Sequence, residues 1–167
     1  LHNGKGRCHK FNVLINAGSF NANGITAALR SLVNSIDKNR CNPIVAFKPS
    51  VIDGHESRTE QFFRLDENLA MFPRIGNQIL TRREKECVDD ARHHNIDAFS
   101  SYARNVVRDA FSREFSRLAG CAKFDAVIDF TGYEGFWISL FAYAKGDLRR
   151  IIYLHNDMLE EQRSKYR

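Results

Sequence analysis

The loop over residues 17–24 carries polar side chains directly in front of a predicted helix. Ser19, Asn21, Asn23 and Gly24 lie in this loop. Backbone N–H groups at a helix start, together with the positive end of the helix dipole, attract phosphate, which makes the four residues candidate substrate contacts. The loop lacks both the GxGxxG pattern of dinucleotide-binding proteins and the Lys and Ser/Thr of a P-loop. The alternative is a plain tight turn in which Asn23 caps the helix.

A second polar group follows the last apolar run of the sequence, residues 151–154. It consists of His155, Asn156 and Asp157. An imidazole and a carboxylate at the end of a buried strand can orient a hydroxyl or act as a general base. His155 and Asp157 are therefore candidate catalytic residues, and Asn156 is a candidate substrate contact. The alternative is that these side chains cap a helix predicted over residues 158–166.

A third polar group ends another apolar run and contains Asp129, Gly132 and Tyr133. Asp129 lies near the end of a predicted buried strand, where an unpaired carboxylate is costly. It binds either a sugar hydroxyl or a neighbouring loop, and the second arrangement is the more common. Gly132 allows a sharp turn above the sheet, and we predict that Gly132 and Tyr133 contact a substrate.

Hydrophobic periodicity predicts the elements that position these loops. Short runs rich in β-branched and aromatic residues predict strands, and apolar residues at three- and four-residue spacing predict helices. The predicted strands are residues 10–16, 43–47, 124–130 and 150–154, and the predicted helices are residues 24–37, 81–94, 99–118 and 135–144. Residues 62–65 and 69–72 fit either edge strands or short helices.

Strands that alternate with helices predict an α/β fold with a doubly wound, mostly parallel, Rossmann-like sheet. The 167 residues are enough for a single domain. Ligands of such sheets bind beyond the carboxyl ends of the strands, where the strand order reverses. We therefore expect Gly24 and His155, which are far apart in the sequence, to lie on a common rim above the sheet.

Composition narrows the classes of partner. The chain carries 25 Lys and Arg against 20 Asp and Glu, a net charge of +5, which favours nucleic acid, acidic lipid or phosphorylated substrates. The arginines of residues 99–118 could face nucleic acid, although a solvated helix face balanced by Asp109 and Glu114 is more common. Four cysteines without CxxC spacing are interpreted as reduced thiols of a cytosolic protein. We predict no metal site and no cofactor.

Taken in order, residues 12–26, 124–132 and 152–158 resemble the N-terminal half of a GT-B glycosyltransferase. The resemblance is in particular to the large retaining family 4 group found in envelope polysaccharide and teichoic-acid gene clusters. The resemblance implies a domain division: residues 1–9 as an extension or linker, residues 10–160 as the Rossmann-like half-domain, and residues 161–167 as the start of a continuation.

The resemblance also implies roles for two residues. Gly24 would face the diphosphate of a nucleotide-sugar donor across an interdomain cleft, and His155 would lie near the reacting sugar. Asn23 stands where the family has the first of two paired glycines. The N-terminal half of such enzymes mainly receives the acceptor, whereas the other half, with its Glu-x7-Glu carboxylates, holds the donor.

The function implied is therefore the acceptor-side domain of a hexosyltransferase, which moves a sugar from a nucleotide-sugar donor to a cell-envelope glycan, lipid-linked or teichoic-acid-type acceptor. Because the donor half is absent from this sequence, the chain is expected to be inactive alone. The implied location is cytoplasmic, with peripheral attachment to the inner face of the cell membrane left open. The alternatives are a stand-alone flavodoxin-like module that binds an anion or nucleotide, and a basic nucleic-acid-binding domain, which no aromatic-basic motif supports.

Overall fold

The computed structural model describes residues 10–93, 100–132 and 134–155. Within these ranges five strands form one sheet, and each neighbouring pair is parallel. The strands are β1 (Phe11–Asn16), β2 (Cys41–Phe47), β3 (Ala70–Pro73), β4 (Ala126–Asp129) and β5 (Arg149–Ile152), in the order β3-β2-β1-β4-β5. The α/β fold with a parallel, Rossmann-like sheet in one domain is confirmed.

The helices cover both faces of this sheet. They are α1 (Gly24–Ser35), α2 (Glu56–Phe63), α3 (Arg82–His93), α4 (Ser101–Ala119) and α5 (Gly135–Ala142), and a short 3-10 turn lies at Pro49–Val51. Leu29 of α1 and Phe62 of α2 pack with Ile15 on one face. The adjacent Leu14 points to the other face, because side chains alternate along a strand, and packs there with residues of α3, α4 and α5.

Most predicted elements are present, with shifted ends. Gly120 follows the last turn of α4 with a φ of 56°, as a helix-ending glycine does. The two ambiguous segments resolve differently: Phe62 lies in α2, and residues 70–73 form β3. Tyr102, which the periodicity of α4 places on its apolar stripe, is half exposed, because it lies in the first turn of the helix.

The prediction that the last strand is buried is wrong. Ile151 and Ile152 of β5 are 44% and 54% exposed. β5 pairs with β4 on one side, and no strand of the described ranges pairs with it on the other. The apolar run correctly indicated a strand, but burial depends on what covers the strand, and β5 is an edge strand here.

Two further observations concern the cysteines and the helices of the described part. Cys41, Cys87 and Cys121 are free, and Cys8 lies outside the described residues. Among the described helices, none has the length and apolarity needed to cross a bilayer.

Candidate functional site

The strand order reverses between β1 and β4. From β1 the chain passes to β2 and β3 on one side, and it then returns to β4 on the other side of β1. Asn16 and Asp129 are register partners at the last position of these two strands. Their carboxyl ends therefore form the switch point at which sheets of this kind open a crevice for ligands.

Asn16, Asp129 and Thr131 form a buried hydrogen-bonded cluster at the switch point. Asn16 Nδ2 donates to Asp129 Oδ1 at 2.8 Å and to Thr131 Oγ1 at 3.4 Å. The Thr131 hydroxyl donates to the same carboxylate oxygen at 3.0 Å. Asp129 thus bonds neighbouring residues, which is one of the two arrangements that the sequence left open.

The second oxygen of this carboxylate is unsatisfied within the described part of the chain. Asp129 is 1% exposed, and its Oδ2 has no hydrogen-bond partner within the described residues. A buried polar atom without a hydrogen-bond partner costs about 1–3 kcal/mol, and a charged one costs more. Such groups are rare in folded proteins and call for an explanation. A ligand that donates a hydrogen bond supplies one.

Gly18 closes over this cluster. Its backbone N–H donates to Asn16 Oδ1 at 3.1 Å, and its φ of +69° lies in the left-handed region that glycine adopts without strain. A Cβ at this position would lie 2.4 Å from Thr131 Cγ2. The glycine is therefore needed both for the turn after β1 and for the close contact with the loop after β4.

A second acid borders the cluster. Burial raises the pKa of the Glu134 carboxyl above its usual value, the charge of Asp129 raises it further, and the Arg74 guanidinium partly offsets both effects. The Arg74 guanidinium lies over the ring of Phe136, 3.5 Å from its centroid. Arg74 follows β3, and Glu134 precedes α5, so the strand ends bring together a cation and two acids from distant parts of the sequence.

The first loop has the cap predicted from its sequence. Asn23 Oδ1 accepts the N–H of Thr26 at 3.1 Å. Asn21 Nδ2 donates to Ser19 Oγ at 3.0 Å, and Asn21 Oδ1 accepts from Arg58 Nε at 2.9 Å. The side chains of the loop thus bond one another and α2.

The start of α1 remains available to an anion. No acidic residue lies in the first turn of α1, and the space where a Cβ of Gly24 would lie is open, with no atom within 4 Å. Within the described chain the N–H groups of Gly24 and Ile25 have no acceptor. These are the donors that a phosphate at a helix start requires.

His155 follows β5 at the same edge of the sheet. Its Nε2 lies 2.6 Å from the carbonyl oxygen of Phe130, and because a carbonyl only accepts, Nε2 carries the proton of this bond. Its ring packs edge-on against Phe130 and beside Tyr153, each 4.8 Å away between centroids. In the neutral imidazole Nδ1 therefore keeps the lone pair and is the atom able to accept a proton.

Of the four remaining predicted substrate contacts and catalytic residues, only Gly132 lies within the described residues. Gly132 has a φ of +70°, and a Cβ there would lie 2.9 Å from the carbonyl oxygen of Tyr153, so this glycine permits the close approach of the loops after β4 and β5. Tyr133, Asn156 and Asp157 lie outside the described residues. Because β1, β4 and β5 are parallel, Gly24, Gly132 and His155 follow strands that end at one edge.

Sequence reasoning missed Asn16, Glu134 and Arg74 as members of the site. Asn16 gave a usable signal, since a polar residue at the end of an apolar strand faces the switch point. Glu134 and Arg74 gave none, because 60 residues separate them and only the order of the strands brings them together.

Three of the four arginines of α4 form ion pairs within the protein. Arg113 donates two bonds to Glu84 of α3 at 2.8 and 2.9 Å. Arg117 pairs with Glu114, and Arg108 pairs with Asp109. These contacts support the solvated, charge-balanced helix face that the sequence favoured over a nucleic-acid surface.

Comparison with known proteins adds no assignment: neither a family model nor a curated protein matches this sequence. Among the described residues, no group of three or more His, Cys, Asp and Glu side chains could hold a metal ion. The groups able to bind a ligand or move a proton at the carboxyl edge of the described sheet include the carboxylates, the imidazole and the helix start.

Proposed function

We propose that this chain is the acceptor-side domain of a GT-B glycosyltransferase that moves a sugar from a nucleotide-sugar donor to a cell-envelope glycan or teichoic-acid-type acceptor. The observation that carries the proposal is the buried Asp129 carboxylate at the switch point of the sheet, one oxygen of which has no donor among the described residues. An O–H group is a donor that such an oxygen accepts, and sugar acceptors offer hydroxyls.

The neighbouring groups support the same chemistry. His155 keeps a lone pair on Nδ1, which can orient or deprotonate a hydroxyl. The N–H groups of Gly24 and Ile25 suit a phosphate. One strand, β4, separates the strands that these groups follow, and two strand spacings amount to about 10 Å, a distance comparable to the length of a sugar diphosphate.

The proposal assigns partners as well. A second domain would bring the nucleotide-sugar donor, and this chain would receive a glycan or lipid-linked acceptor. The protein would work in the cytoplasm, at or near the inner face of the cell membrane. The net charge of +5 supports attraction to anionic acceptors and lipid surfaces.

The test is sugar transfer by the polypeptide that the complete reading frame encodes, with labelled nucleotide sugars and a cell-envelope extract as the acceptor. His155→Ala is compared with His55→Ala, because the His55 side chain is exposed and forms no hydrogen bond within the described residues. Loss of a positioned acid–base group lowers turnover by about 10²-fold or more. We expect this loss for His155→Ala only, and no turnover by the 167-residue chain alone.

Three outcomes would contradict the proposal. The complete polypeptide could transfer no sugar from any nucleotide donor. The two histidine variants could retain equal activity, which would remove His155 from the reaction. The 167-residue chain could turn over donor efficiently on its own, which would contradict its assignment to the acceptor side.

A further inference from the structure

We propose that the Tyr153 ring is a stacking platform for a sugar ring, so that the acceptor presents a pyranose rather than an acyclic polyol. Tyr153 directly follows β5 at the carboxyl edge of the sheet, two residues before His155. That the bound sugar is the acceptor rests on the proposed function, which leaves a glycan and a teichoic-acid-type acceptor open. The binding of a sugar ring to Tyr153 does not rest on it.

The Tyr153 ring is held in place by two neighbouring rings. It stacks on Phe130 at 4.8 Å between centroids, with 27° between the planes, and it lies 4.8 Å from the His155 ring at an angle of 47°. Phe130 is buried. The backbone is fixed as well, because the N–H of Tyr153 donates to the carbonyl of Asp129 at 2.9 Å. A side chain that is already ordered loses little conformational freedom when a ligand binds.

One face of the Tyr153 ring is open. Phe130 and His155 also lie 4.8 Å apart between centroids, so the three centroids form a triangle with equal sides. Two rings on opposite faces of Tyr153 would be about twice as far from each other as from Tyr153, and Phe130 and His155 therefore do not enclose it. Tyr153 is 48% exposed, so the face turned away from both rings is accessible to a ligand.

The surface beside the ring suits the face of a pyranose. Ile151 lies two positions earlier, on the same side of the sheet, and is 44% exposed, which extends the apolar surface. The face of an aromatic ring is electron-rich, and the C–H groups on the face of a pyranose are weak donors. A pyranose can therefore lay this face on Tyr153 while its hydroxyls project from the rim. An acyclic polyol has no such face.

A hydrogen-bond acceptor lies next to the platform. His155 Nε2 is engaged with the carbonyl oxygen of Phe130 at 2.6 Å, so Nδ1 of the neutral imidazole is the acceptor. A hydroxyl on the rim of a stacked sugar supplies the O–H donor for this nitrogen. Sites for small ligands combine an aromatic surface with a few polar groups that fix the orientation. A nucleobase also stacks on aromatic rings, but the several hydroxyl donors around a pyranose favour the sugar.

The experiment measures binding of methyl β-glucoside to the 167-residue chain by NMR titration, with glucitol as the comparison probe. All ring hydroxyls of the glucoside are equatorial, so both of its faces carry C–H groups, whereas glucitol has hydroxyls but no ring. We expect the glucoside to shift the Tyr153 ring resonances and to bind more tightly than glucitol. Tyr153→Phe keeps the aromatic face and should bind as the unaltered chain does. Tyr153→Ala should weaken binding about three- to tenfold.

The matched control is Tyr102→Ala. Tyr102 is 50% exposed, but it lies in the first turn of α4, where the Arg83 guanidinium is 4.6 Å from the centroid of its ring. This variant should bind the glucoside as the unaltered chain does. Urea unfolding followed by Trp137 fluorescence shows whether each variant is folded, and the comparison of glucoside with glucitol needs no variant.

Tighter binding of the glucoside than of glucitol, with a dependence on the Tyr153 ring, supports the proposal. The absence of a shift at high millimolar glucoside overturns it, as does equal affinity for the two probes or an equal loss in Tyr153→Ala and Tyr102→Ala. Adenosine that binds at Tyr153 more tightly than the glucoside would overturn it in favour of a nucleobase. None of these readouts requires sugar transfer, so failure here is distinct from failure of the proposed function.

Discussion

Substitution of Gly18 by alanine tests whether the loops after β1 and β4 meet as closely as the structure shows. An alanine at a φ of +69° costs about 1–2 kcal/mol in backbone conformation. Its Cβ would lie 2.4 Å from Thr131 Cγ2, and overpacking of this kind costs about 1–3 kcal/mol. We expect Gly18→Ala to lower the free energy of unfolding by about 2–5 kcal/mol, a large part of the total of a domain this size.

Urea unfolding followed by the fluorescence of Trp137, which is buried and the sole tryptophan, measures the effect. Gly24→Ala is the matched control, since no atom lies within 4 Å of its Cβ. It should change stability by less than about 0.5 kcal/mol. Thr131→Ser removes the colliding methyl group but keeps the hydroxyl, so the double variant should regain about 1–3 kcal/mol. If Gly18→Ala is as stable as Gly24→Ala, the close contact above the cluster does not exist.

Two further predictions concern ionisation. The Arg113 guanidinium lowers the pKa of Glu84 from 4.5 to about 2, so this ion pair stabilises the fold above pH 4.5, and the stabilisation is lost as the pH falls towards 2. Urea titrations at several pH values should show this loss of stability, and the loss should be smaller in Arg113→Gln; if the variant and the unaltered protein have the same pH profile, α3 and α4 are not paired through these two residues. Asp129→Asn removes a negative charge beside Glu134, so the pKa of Glu134 should fall towards its ordinary value. Carbon-detected NMR titration measures this pKa, and an unchanged value would show that the two acids do not interact.

Local sequence rules were sufficient for most of the elements and for the loops that follow them, but not for α2 and β3. The apolar run before Asn16 predicts β1, and Asn23 predicts the start of α1, because capping depends on residues three positions apart. The alternation of strands and helices predicts a parallel sheet. Short-range patterns carry this information, and it does not depend on what the rest of the chain does.

Burial and partners could not be predicted in the same way. The apolar residues of β5 predict a buried strand, but Ile151 and Ile152 are exposed at an edge. No local sequence signal predicts that Arg74 lies close enough to Glu134 to act on it electrostatically. Both depend on the order of strands in the sheet, which is decided by contacts between residues far apart along the chain.

The sequence by itself determined that polar loops follow the strands, since each loop is encoded next to its strand. Only the tertiary structure decided that Asn16 and Asp129, 113 residues apart, share one hydrogen bond and that one carboxylate oxygen finds no donor in the described part of the chain. The reason is that hydrogen-bond satisfaction of a buried group depends on every atom around it, and the residues that surround Asp129 come together only when β4 inserts beside β1.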